Sequence, residues 1–98
     1  MMFIITVTFI VKSENADLFQ KMVLKQAENS LSEEPCCRVF EVSKRNESTS
    51  DDVAFFLYEA YDTEKNFTEH LETKHFLNFN EESAKLILSK SVASYTKL

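Results

Sequence analysis

The chain has no glycine and no tryptophan, and its 98 residues include a single proline and two cysteines. Without glycine, turns must be built by residues such as Asn, Asp, Ser and Pro. The glycine-rich loops that hold phosphates in P-loop and Rossmann proteins are therefore excluded. The cysteines, Cys36 and Cys37, are adjacent and cannot form the disulfide framework of a small secreted domain. We expect a cytoplasmic protein.

Clusters of positive charge are also missing. The net charge is −5, and the 11 basic residues are scattered along the chain. Nucleic acids and anionic membranes are bound by grouped Lys and Arg, so neither is an expected partner. The apolar run 1–11 lacks a basic flank and a cleavage site, and it is too short to span a bilayer.

What the chain does contain is typical of one globular domain covering residues 1–98. The hydrophobic fraction is 44%, and nine Phe and three Tyr make the aromatic fraction 12%. This aromatic content indicates a cavity or an interface in addition to a core.

Alternating apolar residues predict strands at 3–11, 36–42 and 53–61. In the second of these, Cys37, Val39 and Glu41 should share one face. The first and third strands are largely apolar on both faces, which is typical of a sheet that is covered on both sides. The polar stretch 44–52 is predicted to be a hairpin loop.

Apolar residues at three- and four-residue steps predict a helix over 16–31, started by a cap at Ser13 or Asn15. Asp62 or Thr63 should cap a second helical region, with a break near residues 73–74 and a continuation to residue 88. A last strand is predicted at 91–98.

The resulting order, β-α-β-β-α-β, predicts an α+β, ferredoxin-like antiparallel sheet with helices on one face. In a chain of this length nothing remains to cover the other apolar face. A second copy of the chain is the simplest cover, so a homodimer is expected.

Four segments resemble the antibiotic biosynthesis monooxygenase family, whose members form a dimeric α+β barrel. They are Glu34-Pro35-Cys36-Cys37, Phe40-Glu41-Val42, Phe56-Leu57-Tyr58-Glu59-Ala60-Tyr61-Asp62, and His70 with His75-Phe76. Cys36 departs from the family pattern, which has glycine there. The resemblance implies a small enzyme without metal, flavin or haem. Some members oxygenate quinols or polyketides with O2, one type rearranges a phosphorylated pentanedione, and others have no known substrate.

His70 and Glu59 are the candidate catalytic residues. A neutral imidazole can take a proton from a hydroxyl or an enol near neutral pH, although a histidine among Phe67 and Leu71 is also compatible with a structural role. Glu59 is a carboxyl group on an otherwise apolar strand face, so it needs a partner or a raised pKa. It could orient His70, hold a substrate hydroxyl or form a salt bridge.

The remaining candidates are assigned to the substrate pocket: Tyr58, Tyr61, His75, Phe55 and Phe76. The tyrosines point to opposite strand faces, and packing is an alternative role for each. On an ideal helix, His75 would lie about 140° around the axis from His70, so the two histidines would share no helix face. No metal site is therefore expected.

Three functions remain open. The first is a cofactor-independent monooxygenase that acts on quinol-like or other electron-rich aromatic compounds with O2. The second is an isomerase of a small phosphorylated diketone, which would need convergent cationic groups that no motif provides. The third is a dimeric binding or stress-related module without turnover.

Overall fold

The structure, a computed structural model, describes residues 1–46 and 51–98. Its elements are β1 (Phe3–Lys12), α1 (Ser13–Glu33), β2 (Cys37–Lys44), β3 (Asp52–Tyr61), α2 (Glu64–His70), α3 (Lys74–Ser83), a 3₁₀ turn (Ala84–Leu86) and β4 (Ile87–Thr96). The predicted α+β, ferredoxin-like order is confirmed. The predicted hairpin loop lies partly outside the described residues.

The four strands form one antiparallel sheet in the order β2-β3-β1-β4. The central strands pair in register, with Phe9 opposite Phe55 and Ile5 opposite Glu59. Because side chains alternate along strands, these four residues share one face. The helices pack on that face, which we call the inner face; the opposite one is the outer face.

The core between α1 and the inner face is aromatic. Phe19 is fully buried, and its ring lies 5.1 Å from the rings of both Phe9 and Phe55. Ala16, Val23 and Ala27 follow at helical spacing and are buried beside it. This core packs α1 against the middle of the sheet.

Three local predictions are wrong. Helix α1 begins directly after β1, with Lys12 at the N-cap position and no side-chain cap from Ser13 or Asn15. In β2 the register shifts between Cys37 and Val39, so Cys37 and Phe40 both join the inner core instead of alternating. The last strand begins at Ile87, because the apolar run 86–88 fits a strand as well as a helix end.

The break between α2 and α3 was predicted near its observed place. Thr63 caps α2 in a capping box with Asn66, and Thr73 caps α3 by accepting a hydrogen bond from the amide of Phe76. Among the described residues, no helix is long and apolar enough to cross a membrane.

Candidate active site

A cavity of about 270 Å³ lies between the inner face and the pair α2–α3. Its walls are mostly aliphatic and aromatic. Its lining residues include the apolar side chains Ile5, Val7, Phe9, Phe40, Leu57, Phe67, Leu71, Phe76, Phe79 and Val92. Four lining side chains carry polar groups: Gln26, Glu59, His70 and Lys90. A small apolar site with a few polar groups is the usual form of a small-molecule pocket.

Glu59 reaches the cavity from near the C-terminal end of β3. Only 3% of its surface is exposed, and its Oε1 accepts a hydrogen bond of 2.7 Å from the hydroxyl of Tyr61. Burial raises the pKa of the Glu59 carboxyl above its ordinary value, against the smaller lowering effects of Tyr61, His70 and Lys90. The carboxyl group therefore holds its proton more readily than an exposed glutamic acid.

His70 ends α2 and is 2% exposed, surrounded by the rings of Phe40, Tyr61, Phe67 and Phe76. Its Nδ1 lies 2.8 Å from Oε2 of Glu34. A carboxylate accepts hydrogen bonds, so this nitrogen carries a hydrogen, and in the neutral ring the lone pair is on Nε2. Nε2 is then the ring nitrogen available to a bound molecule.

The orienting partner of His70 is thus Glu34 instead of Glu59. Glu34 follows the end of α1 and reaches both histidines: its Oε2 also lies 2.8 Å from Nε2 of His75. Glu59 instead accepts a hydrogen bond from Tyr61 and lines the cavity.

Lys90 adds a positive charge at one side of the cavity. It lies on β4 opposite Phe9, and its ammonium group is 5.6 Å from the centre of that ring. A cation above an aromatic ring in a largely apolar site attracts anionic ligands.

The predicted pocket residues separate into two groups. Glu59, His70 and Phe76 line the cavity. Tyr58 does not, because it lies on the outer face, and Phe55 does not, because it packs against Phe19 in the core.

Tyr61 and His75 lie behind the cavity wall. Tyr61 supports Glu59 by its hydrogen bond, and burial raises the pKa of its phenol, so it remains a donor. His75 contacts Glu34 and Gln26 and borders a separate surface groove.

The two cysteines take no part in the cavity. Cys37 is buried, and burial raises the pKa of its thiol to about 12. A thiol in that state is a poor nucleophile near neutral pH, in agreement with the structural interpretation of the sequence. Cys36 is half-buried at the start of β2.

Three polar residues of this region were missed by sequence reasoning: Gln26, Glu34 and Lys90. Glu34 stood in the first segment of the family resemblance, which was the one signal available for it. Gln26 belonged to the apolar side of α1, where a polar residue between Val23 and Ala27 was a clue. Lys90 carried no signal, because the start of β4 was misplaced.

Known proteins share this fold. The fold is that of a ferredoxin-like α+β protein, and a largely apolar cavity lies on the inner face of its sheet. A family model described as antibiotic biosynthesis monooxygenase matches residues 2–82. The chain therefore belongs to that family.

Solved structures show the same fold along the whole chain. A protein from Nitrosomonas europaea, provisionally named an antibiotic biosynthesis monooxygenase, is 28% identical with a TM-score of 0.87, covering 99% of this chain and 90% of that one. A provisionally named monooxygenase from Caulobacter crescentus is 18% identical with a TM-score of 0.88, at the same coverages of 99% and 90%. No curated protein matches the chain. These relations support a general monooxygenase-like function.

Proposed function

We propose that the protein is a cofactor-independent monooxygenase of small, electron-rich aromatic compounds of the quinol type. The observation that carries this proposal is the position of His70, a buried histidine oriented by Glu34 at the wall of an apolar cavity. A base in a largely apolar cavity can generate a phenolate, and the phenolate is the species that reacts with O2.

In the proposed reaction, Nε2 of His70 takes a hydroxyl proton from the quinol. The quinolate transfers electrons to O2, and a bond forms between a ring carbon and oxygen. The O–O bond then breaks: one oxygen atom remains on the ring as a hydroxyl group and the other leaves as water. The substrate supplies all the electrons, so the quinol becomes a hydroxyquinone and no external reductant is needed.

The other polar groups fit this substrate. The Glu59 carboxyl group, whose pKa is raised, can donate a hydrogen bond to the second substrate oxygen. The ammonium group of Lys90 stabilises the negative charge of the quinolate. The cavity volume of about 270 Å³ is at the small end of ligand sites, which suits one or two fused aromatic rings.

The phosphorylated-diketone isomerase remains a second candidate, and Lys90 is the observation in its favour. Phosphate groups are usually held by several converging donors. Among the described residues that line the cavity, Lys90 is the one permanent cation. A non-catalytic binding module is the third candidate. It differs from both enzymes in that neither quinols nor diketones would be converted.

Oxygen consumption with menadiol-like quinols, measured beside the conversion of small diketones, tests the proposal. Loss of a general base typically costs ~100- to 10,000-fold in rate. His70→Ala should therefore lose most of its turnover while keeping its fold. Glu72→Ala is the matched control, because Glu72 is exposed two residues after His70. The proposal is wrong if His70→Ala keeps wild-type turnover, or if only diketones are converted.

A further inference from the structure

Glu34, His70 and His75 form a compact cluster at the wall of the cavity. One potential ligand atom from each residue lies within 4.8 Å of the others. The side chains of His70, His75 and Glu34 are 3%, 9% and 13% exposed. The cluster forms because the break between α2 and α3 turns His75 back toward Glu34, which an unbroken helix would not do.

The hydrogen bonds around His75 leave one of its nitrogens unpartnered. Its Nδ1 lies 3.2 Å from Oε1 of Gln26, and the amide nitrogen of Gln26 faces the hydroxyl of Ser30 at 3.5 Å. The Gln26 oxygen is thus an acceptor, so Nδ1 of His75 carries the hydrogen. Nε2 then holds a lone pair.

That lone pair faces a carboxylate. Nε2 of His75 lies 2.8 Å from Oε2 of Glu34, yet it has no partner in hydrogen-bonding geometry. Two lone pairs at this distance repel each other unless a cation lies between them. The contact is close and buried, and with a neutral His75 ring it holds no positive charge.

We propose that Glu34, His70 and His75 bind a divalent first-row transition-metal ion, through a carboxylate oxygen, Nδ1 of His70 and Nε2 of His75. Imidazole and carboxylate together suit zinc and its neighbours in the series. Ligand atoms around such an ion lie roughly 3–3.5 Å apart, given bonds of about 2.0–2.2 Å. Both Glu34 contacts are 2.8 Å long, so a small outward shift of the carboxylate admits the ion.

Two further features are those of a metal site. A ligating histidine normally donates its other N–H to an oxygen acceptor, as His75 does to Gln26. The cluster is also approached from the surface, because His75 and Gln26 border one groove and Glu34 borders another. An ion therefore has a route to the ligands that does not cross the substrate cavity.

The metal and the proposed base would exclude each other. An ion on Nδ1 of His70 displaces the hydrogen that this nitrogen shares with Glu34. A neutral ring bound in this way carries its hydrogen on Nε2, which then cannot accept a substrate proton. The ion would thus be an inhibitor of the proposed oxygenase. Metal binding itself does not depend on that function.

Zinc and cobalt binding to the chelator-stripped full chain tests the inference. We expect one Zn²⁺ per chain by calorimetry, Co²⁺ absorption bands typical of nitrogen and oxygen ligands, and a zinc-dependent rise in melting temperature. Loss of an outer partner already weakens metal sites by ~10–100-fold, so Glu34→Gln and His75→Gln should lose at least that much. Glu33→Gln, at an exposed neighbouring position, should bind like the wild type.

Several outcomes would overturn the inference. One is no binding to the folded wild-type chain, which would mean that a proton fills the place of the ion. Another is equal affinity in Glu34→Gln and Glu33→Gln. A third is loss of binding in Cys36→Ser or Cys37→Ser, which would assign the ion to a thiol. Circular dichroism of each variant separates lost ligands from lost fold, and His75→Asn provides a second substitution if His75→Gln unfolds.

Discussion

Two carboxyl groups near His70 differ in their surroundings. Glu34 lies between two imidazole rings, whereas Glu59 is enclosed by apolar side chains and supported by the hydroxyl of Tyr61. Burial raises the pKa of the Glu59 carboxyl, whereas the Glu34 carboxylate accepts a hydrogen bond from Nδ1 of His70. The site therefore combines a group that orients the proposed base with a group suited to donating a hydrogen bond.

The raised pKa of Glu59 has a consequence for stability. The folded chain favours the protonated carboxyl of Glu59. This preference stabilises the fold fully below the ordinary pKa of 4.5, and the stabilisation is lost as pH rises through the pKa of the folded state. Glu59→Gln cannot ionise. Its free energy of unfolding should therefore rise relative to the wild type as pH increases above about 4.5. Urea unfolding at several pH values between about 4 and 8 measures this difference.

The other charged groups that act on Glu59 are His70, Glu34 and Lys90, and all are unchanged in the Gln variant. Glu41→Gln is the control, because Glu41 is exposed on β2. The control should track the wild type at every pH. A constant difference between Glu59→Gln and the wild type would show that the carboxyl titrates normally.

Residue identities could be predicted from the sequence more readily than their contacts. Glu59 and His70 were selected because a polar residue stood on an apolar face, and both line the cavity. The contact between Glu34 and His70 spans 36 residues, and no local pattern encodes it. Tyr58 was misassigned because alternation separates two faces without saying which one the helices cover.

At the scale of elements, the break between α2 and α3 determines where the histidines lie. The hydroxyl of Thr73 donates to the carbonyl of His70 at 2.8 Å and accepts from the amide of Phe76 at 3.2 Å. One side chain thus ends the helix of the first histidine and starts the helix of the second.

Removing that hydroxyl should loosen the break. Loss of a Thr cap costs about 1 kcal/mol of stability, so Thr73→Ala should unfold at lower urea concentration. It should also lower turnover, because both histidines depend on the angle between the helices. Thr73→Ser keeps the hydroxyl and is expected to retain most of both properties. If Ser and Ala variants are equally impaired, the methyl group and not the hydroxyl stabilises the break.

Helices and strands whose apolar residues follow one clear spacing were predicted well. Segments that fit both the helix and the strand spacing were not. Thr63 was one of two caps predicted from local chemistry, and the break near Thr73 was predicted without the cap that Thr73 provides. The start of β4 could not be read, since an apolar run next to a helix satisfies either period. The irregularity at the start of β2 arises from pairing with β3, which no single strand reveals.

For the whole molecule, the outer face of the sheet is the unexplained surface. Between Ile4 and Ile10, and between Ala54 and Ala60, the side chains of the two central strands on this face are uncharged. Phe56 is 44% and Tyr95 is 56% exposed. Sheets that face water on one side normally alternate with polar residues. This surface therefore favours contact with another sheet.

We predict from this surface a homodimer joined through the outer faces. Light scattering should give twice the 11.4 kDa mass of one chain at micromolar concentrations.

A stable interface buries roughly 800 Å² per partner, and a charge at its centre would be buried without a partner. Phe56→Asp should therefore be monomeric. Leu77→Asp, at a 53% exposed apolar position on α3, controls for the substitution itself and should remain dimeric. A monomeric wild type, or dissociation of both variants alike, would rule out this arrangement. Because the cavity lies on the inner face, a folded Phe56→Asp monomer should still bind quinols.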